Sequence, residues 1–201
     1  MKPQLWVCAG PNGAGKTTLV KQHNKGRLPV INADDLLAAD PSLGPLGAGR
    51  KAIALQKAAL QRKESVIVET TLSGRRELEF MQAAKDAGFK VNLAYVTVNS
   101  PKTSRLRVAA RVQSGGHHVP SEDVTRRYER SKANLATAMA IADRTFLFDN
   151  SLERRRLILV QEQKRVRAVA RQIPKAVKPH LDKSVRQGFT KARERKDGRG
   201  R

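Results

Sequence analysis

Short apolar runs alternate with longer mixed segments along most of this chain. Runs at residues 5–9, 29–31, 66–68, 91–98 and 146–148 have the length and content of buried strands. Between them, residues 16–22, 48–62, 75–87, 102–113 and 121–141 read as helices. Strands alternating with helices predict an α/β fold: a parallel five-stranded sheet with helices on both faces, three layers in all. Gly88 after Ala87 suits the left-handed residue that ends a helix. Ser121 stands where an N-cap is expected, ahead of Glu122 and Asp123 in the first turn. Ser114-Gly115-Gly116-His117-His118, between two of the helices, predicts a mobile loop or hinge.

Beyond Asn150 the pattern changes. Apolar runs at 157–160 and 166–170 flank a polar stretch and predict a two-stranded hairpin. From about residue 179, Leu181, Val185 and Phe189 recur at helical spacing among basic residues, which predicts a basic helix fraying into disorder. The expected organisation is an α/β domain over 1–151, a hairpin extension over 152–174 and a basic, partly disordered tail over 175–201.

Charge alters the list of partners. Forty Lys and Arg against 18 Asp and Glu give a net charge of +22. Residues 152–201 hold 17 basic and 5 acidic residues, or +12, and leave +10 for the rest. Such a tail predicts attraction to nucleic acid or an acidic partner. With aromatics at only 4%, a base-stacking surface for single strands is disfavoured. Cys8 is the one cysteine, so an intramolecular disulfide is excluded and a reducing cytoplasm fits. Four scattered histidines lack metal-site spacing. No apolar run nears the ~18 residues of a membrane span, and the expectation is a soluble cytoplasmic protein without membrane contact.

The sharpest motif is Gly10-Pro11-Asn12-Gly13-Ala14-Gly15-Lys16-Thr17, which follows a predicted strand and opens a predicted helix. Glycines let backbone N–H groups turn inward around phosphates, and the helix N-terminus adds positive potential. Lys16 would reach the outer phosphates, Thr17 offers a hydroxyl to Mg²⁺, and Thr18 completes the nucleotide-contacting set. A GTPase would also need a guanine-reading Asn-Lys-x-Asp, and Asn24-Lys25-Gly26-Arg27 lacks the aspartate. A motor ATPase usually pairs two acids at a strand end, whereas Glu69 and Asp149 each stand alone.

Transfer of a phosphoryl group to a hydroxyl requires a base at the acceptor and cations on the transferring oxygens. Asp34 and Asp35 follow the second strand, at the carboxyl edge where ligands gather in open parallel sheets. Asp34 is the candidate base, although either carboxylate could instead cap the next short helix. Glu69, Thr70 and Thr71 end the third strand at the same edge, placed to hold an acceptor hydroxyl or a water on Mg²⁺. Arg107 and Arg111 share one helix face, and Arg127, Arg130 and Asn134 share another across the glycine loop. Two such faces suit a lid over phosphates, or a solvated basic surface. Trp6, Cys8 and Tyr128 read as packing residues.

Taken in order, the loop at 10–17, Ile31-Asn32-Ala33-Asp34, Val68-Glu69-Thr70-Thr71, residues 107–112, Gly115-Gly116-His117-His118-Val119-Pro120 and Arg127-Tyr128-Glu129-Arg130-Ser131 resemble the zeta toxin family. The resemblance covers about residues 5–151. It implies a P-loop kinase fold with a helical lid, using ATP and Mg²⁺. The acceptor it implies is a hydroxyl of a small molecule such as the nucleotide sugar UDP-N-acetylglucosamine. Residue by residue, it makes Lys16 and Thr17 the ATP and metal contacts and Asp34 the base. Glu69 and Thr70 seat the acceptor, with Glu69 also beside the metal. Arg111 and Arg127 become lid arginines, joined by Arg107, and Phe148-Asp149-Asn150-Ser151 the strand end beneath the adenine. An antitoxin protein is a further implied partner. The span 40–62 is short, which predicts little room for an elaborate sugar-nucleotide pocket.

Overall fold

A computed structural model describes residues 2–116, 119–170 and 172–181. His117, His118 and most of the basic tail, including Val185 and Phe189, lie outside the described residues.

The first strand, β1 (Gln4–Ala9), is the axis of the molecule. Its side chains alternate between two cores, as the pleat requires. Leu5, Val7 and Ala9 face one cluster, and Cys8 with half-buried Trp6 the other. Flanking it in parallel are β3 (Val66–Thr70), with Cys8 opposite Glu69, and β4 (Lys90–Thr97). Outside these run β2 (Val30–Ile31) against β3 and β5 (Arg144–Asp149) against β4, again parallel. The five expected parallel strands are therefore present, in the order β2-β3-β1-β4-β5.

The hairpin is also present, as β6 (Arg156–Glu162) and β7 (Arg165–Val169), but it is not a separate layer. β6 pairs antiparallel with β5, so the sheet has seven strands. Its two-residue turn, Gln163 and Lys164, has φ of 47° and 63° without any glycine. That left-handed pair matches strand twist and explains the weak turn signal in the sequence.

Helix α1 (Lys16–Asn24) covers one face, burying Leu19 and Val20 beside Cys8, Val96 and Val98. The opposite face is covered by α3 (Gly44–Gln61), α4 (Arg75–Asp86) and α6 (Ser121–Ile141), through Ala52, Met81, Ala84, Leu135 and Ala138. Between β2 and α3 lies α2 (Ala33–Ala39), the short helix that the carboxylates at 34 and 35 could have capped. Helix α5 (Pro101–Gln113) packs on α6 through Val108 and Val124. Ser121 is not the N-cap of α6: Pro120 takes that position at ψ 139° without a side-chain cap, and Ser121 begins the helix. Val177 and Leu181, at the start of the tail expected over 175–201, are fully buried in the same core as α6.

Candidate phosphate-transfer site

The loop between β1 and α1 wraps because three of its glycines adopt backbone that side chains resist. Gly10 has φ of 138°, and a Cβ there would lie 2.1 Å from the Val96 carbonyl oxygen. Gly15, the N-cap of α1, has φ of 92°, and a Cβ would lie 2.6 Å from Nδ2 of Asn150. That Asn150 amide donates to the Ala14 carbonyl at 2.8 Å, which ties the end of β5 to the loop. The zeta toxin resemblance implied for Asn150 only a place beneath the adenine; its position one residue past a strand at the carboxyl edge was the available signal for the tie to the loop.

Within the loop, Pro11 and Ala14 serve the turn, with the Ala14 N–H donating to the Pro11 carbonyl at 3.2 Å. Lys16 Nζ donates to the Pro11 carbonyl at 3.1 Å, and the side chain is 9% exposed. Burial pulls the Lys16 pKa below the usual lysine range, while Glu69 pulls it back. Burial likewise raises Glu69, opposed by Lys16 and by the Thr17 hydroxyl that donates to its Oε1 at 2.7 Å. The other Glu69 oxygen, Oε2, is buried with no hydrogen-bond partner among the described residues. A threonine hydroxyl beside a carboxylate with a spare oxygen is a hard-oxygen donor pair that suits Mg²⁺. No group of three or more His, Cys, Asp or Glu among the described residues could hold a metal. Phosphate and water oxygens would therefore complete such a shell.

The loop opens into a cleft of about 400 Å³. Asn12, Gly13, Gly15, Lys16, Thr17 and Thr18 line one side; Glu69, Thr70 and Thr71 lie at the β3 end. Arg107 and Arg111 enter it from α5, and Arg127 from α6. All three expected arginines thus converge, whereas Arg130 is exposed and does not line the cleft. Asn134 instead donates to the Leu72 carbonyl at 3.0 Å and braces the chain leaving β3. Tyr128 is buried, and its hydroxyl donates to the Val98 carbonyl at 3.0 Å, as a packing residue would.

Asp34 also lines this cleft, and Asp35 does not. The cap of α2 is Asn32, whose Oδ1 accepts from the Asp34 N–H at 3.0 Å. Asp34 is thereby relieved of the capping role and stays exposed in the first turn. Asn32 was named in the sequence only as part of the 31–34 step and not as a cap, although Asn before a first helical turn is a familiar cap.

Residues 5–138 match the family model described as AAA domain. An uncharacterised protein of Haemophilus influenzae is 34% identical over 140 residues, covering 64% of this chain and 99% of that protein. Among solved structures, a chain of the AvrRxo1-ORF1:AvrRxo1-ORF2 complex with sulphate ions superposes at TM-score 0.72 and 17% identity, over 90% of this chain and 66% of that chain. A chain from the same complex with ATP gives TM-score 0.68 at 16% identity, over 84% and 60%. This chain spans less than two thirds of the length of either. A chain of the PezAT chromosomal toxin-antitoxin system of Streptococcus pneumoniae gives TM-score 0.60 at 16% identity, over 98% and 87%. At such identities the likeness is one of fold, a zeta-toxin-like P-loop kinase fold. The family match runs from the strand before the phosphate loop to the helix bearing the last cleft arginine, and on it this chain belongs to the AAA domain family.

Proposed function

We propose that this protein is a kinase that moves the γ-phosphoryl group of ATP onto a hydroxyl of a small molecule. The observation that carries the reading is a single cleft holding a phosphate loop, three arginines and a carboxylate, Asp34, relieved of helix capping by Asn32. The acceptor oxygen attacks the γ-phosphorus, the bond from phosphorus to the β,γ-bridging oxygen breaks, and ADP leaves with that electron pair. Asp34 takes the hydroxyl proton. Lys16 and the main-chain amides hold the phosphates, and Arg107, Arg111 and Arg127 stabilise charge on the transferring oxygens. Glu69 and Thr70 position the acceptor. Thr17 and Glu69 would hold Mg²⁺, which when bound neutralises charge on the β- and γ-phosphate oxygens. A nucleotide sugar such as UDP-N-acetylglucosamine is the acceptor that the zeta toxin resemblance brings.

Calorimetry with ATP and Mg²⁺ tests the donor half. Wild-type protein binds, and Lys16→Met loses at least tenfold in affinity, since a buried ammonium at the phosphates is removed. Equal affinity in the two proteins would remove Lys16 from the site. Because the PezAT neighbour is a toxin-antitoxin system, a neutralising protein partner belongs to the same proposal. The net charge of +22 supports a second reading, in which the basic tail anchors the enzyme to nucleic acid. RNA binding that falls steeply with salt, and is lost on deleting residues 182–201, is its expected signature; salt-insensitive or absent binding ends it.

A further inference from the structure

Beside the phosphate cleft lies a second hollow of about 310 Å³. The two share Ala33, Glu69 and Thr70, so an occupant of the second lies against the Asp34 end of the first. Its floor is apolar, made by β1, β2 and β3 residues. One wall is a face of α3 with Gly49, Ala52 and Gln56, spaced three and four apart. The other is the first turns of α4, with Arg76, Glu77 and Phe80. Small residues on α3 are what leave the space open, in a span whose shortness predicted little room.

The polar groups at the α4 wall are unequal. Glu77 is turned inward: its Oε1 accepts from the Thr70 hydroxyl at 3.1 Å, and its Oε2 lies 2.6 Å from where a Gly74 Cβ would sit. Arg76 is exposed at the rim, and among the described residues it has neither ion pair nor hydrogen bond. The hollow is thus lined by one guanidinium without an ion pair among the described residues and by two carboxylates, Glu69 and Glu77, each accepting from a threonine hydroxyl; the guanidinium at the rim favours bidentate pairing with carboxylate or phosphate. Its volume is at the small end of the ~300–1,000 Å³ of small-molecule sites.

Resting on the kinase reading above, we infer that this hollow seats the acceptor, and that the acceptor is a compact alcohol, about one ring in size, carrying an anionic group that meets Arg76. The apolar floor takes the ring face, the hydroxyl points to Asp34, and the transfer itself is the one already written. Arg76 is then a specificity residue rather than a catalytic one. A compact alcohol matches that volume more closely than a whole nucleotide sugar.

Gly49 permits a test that spares the fold. A Cβ there meets nothing within 4 Å, so Gly49→Leu fills the hollow while replacing a poor helix former inside α3. Wild type, Gly49→Leu, Arg76→Ala and Arg76→Lys are incubated with γ-phosphate-labelled ATP and the small-molecule fraction of a cell extract. The labelled product is identified by mass spectrometry, and ATP affinity and melting temperature are measured for each protein. The expected product is a phosphate ester of a compact alcohol that already bears a carboxylate or phosphate. Its formation falls at least tenfold in Gly49→Leu. Arg76→Ala raises KM about tenfold with kcat little changed, Arg76→Lys recovers part of the loss, and ATP affinity stays at the wild-type value throughout. Label in a neutral alcohol or a nucleotide sugar, or undiminished labelling by Gly49→Leu, overturns the inference. Absence of any labelled organic product, with ATP binding intact, sinks the kinase reading and this inference with it.

Discussion

Asn32 decides what Asp34 is free to do. By accepting the Asp34 N–H it fills the cap position of α2 and leaves the carboxylate to the cleft. Asn32→Ala should therefore cost about 1 kcal/mol of stability and also slow transfer, because Asp34 loses its fixed backbone. An unchanged turnover rate would show that Asp34 needs no such support. Gly10 tests the loop from the other side. With φ of 138° and the Val96 carbonyl in the way, Gly10→Ala is expected to destabilise the protein by more than about 2 kcal/mol, read as a lowered melting temperature. Cys8 behaves differently from an accessible thiol. Burial, with Glu69 adding to it, pushes its pKa up to about 12, so little thiolate forms at pH 8. Iodoacetamide should leave it intact in native protein and modify it in denaturant; rapid native labelling contradicts its placement under the loop. The loop, Asp34 and the cleft arginines were legible from residue type and spacing, because phosphate chemistry restricts both. The tie from Asn150 to the Ala14 carbonyl and the rim position of Arg76 were not, since they come from elements far apart in sequence.

At the scale of elements, strands and long helices were readable because burial imposes a period on them. β4 is almost continuously buried, and α6 repeats buried residues through its whole length. The errors fell at ends and short pieces. Helix α3 starts at Gly44 rather than near 48, after a 3₁₀ turn over Pro41–Leu43 whose cap is Asp40. Ser121 lost the cap position because Pro120, with φ of −53°, already fixes the entry into α6. The segment carrying Val177 and Leu181 packs beside α6, and His180 within it is expected to make its docking depend on pH. Burial holds the His180 pKa below its usual value, Lys132 adds to this and Glu129 opposes it. A depressed folded-state pKa contributes stability that is present above the ordinary value of about 6.5 and lost as pH falls through the lower one. Hydrogen exchange at residues 177–181, corrected for its intrinsic rate, should accordingly rise between pH 7.5 and 5.5. Exchange independent of pH would show that His180 is indifferent to docking.

Across the whole molecule, the parallel order β2-β3-β1-β4-β5 brings the ends of β1, β2, β3 and β5 to one edge. Loop, Asp34, Glu69 and Asn150 meet there although they are distant in sequence. The antiparallel β6 and β7 extend that sheet on the side away from β2. Ligand linkage makes the assembly measurable as one unit. ATP at about 100 times its Kd adds about 2.7 kcal/mol to a protein that binds it only when folded. For a chain of this size that is a rise of roughly 5–11 °C in melting temperature, expected for wild type and cut to about half or less in Lys16→Met at the same ATP concentration. The central claim, however, is transfer, with a base at Asp34. It is tested most directly by following labelled γ-phosphate from ATP into small-molecule products, comparing wild type with Asp34→Asn at saturating ATP. The account predicts a labelled ester from wild type and a loss of at least a hundredfold in the variant, whose ATP affinity is preserved. An ester formed equally fast by both proteins would contradict it.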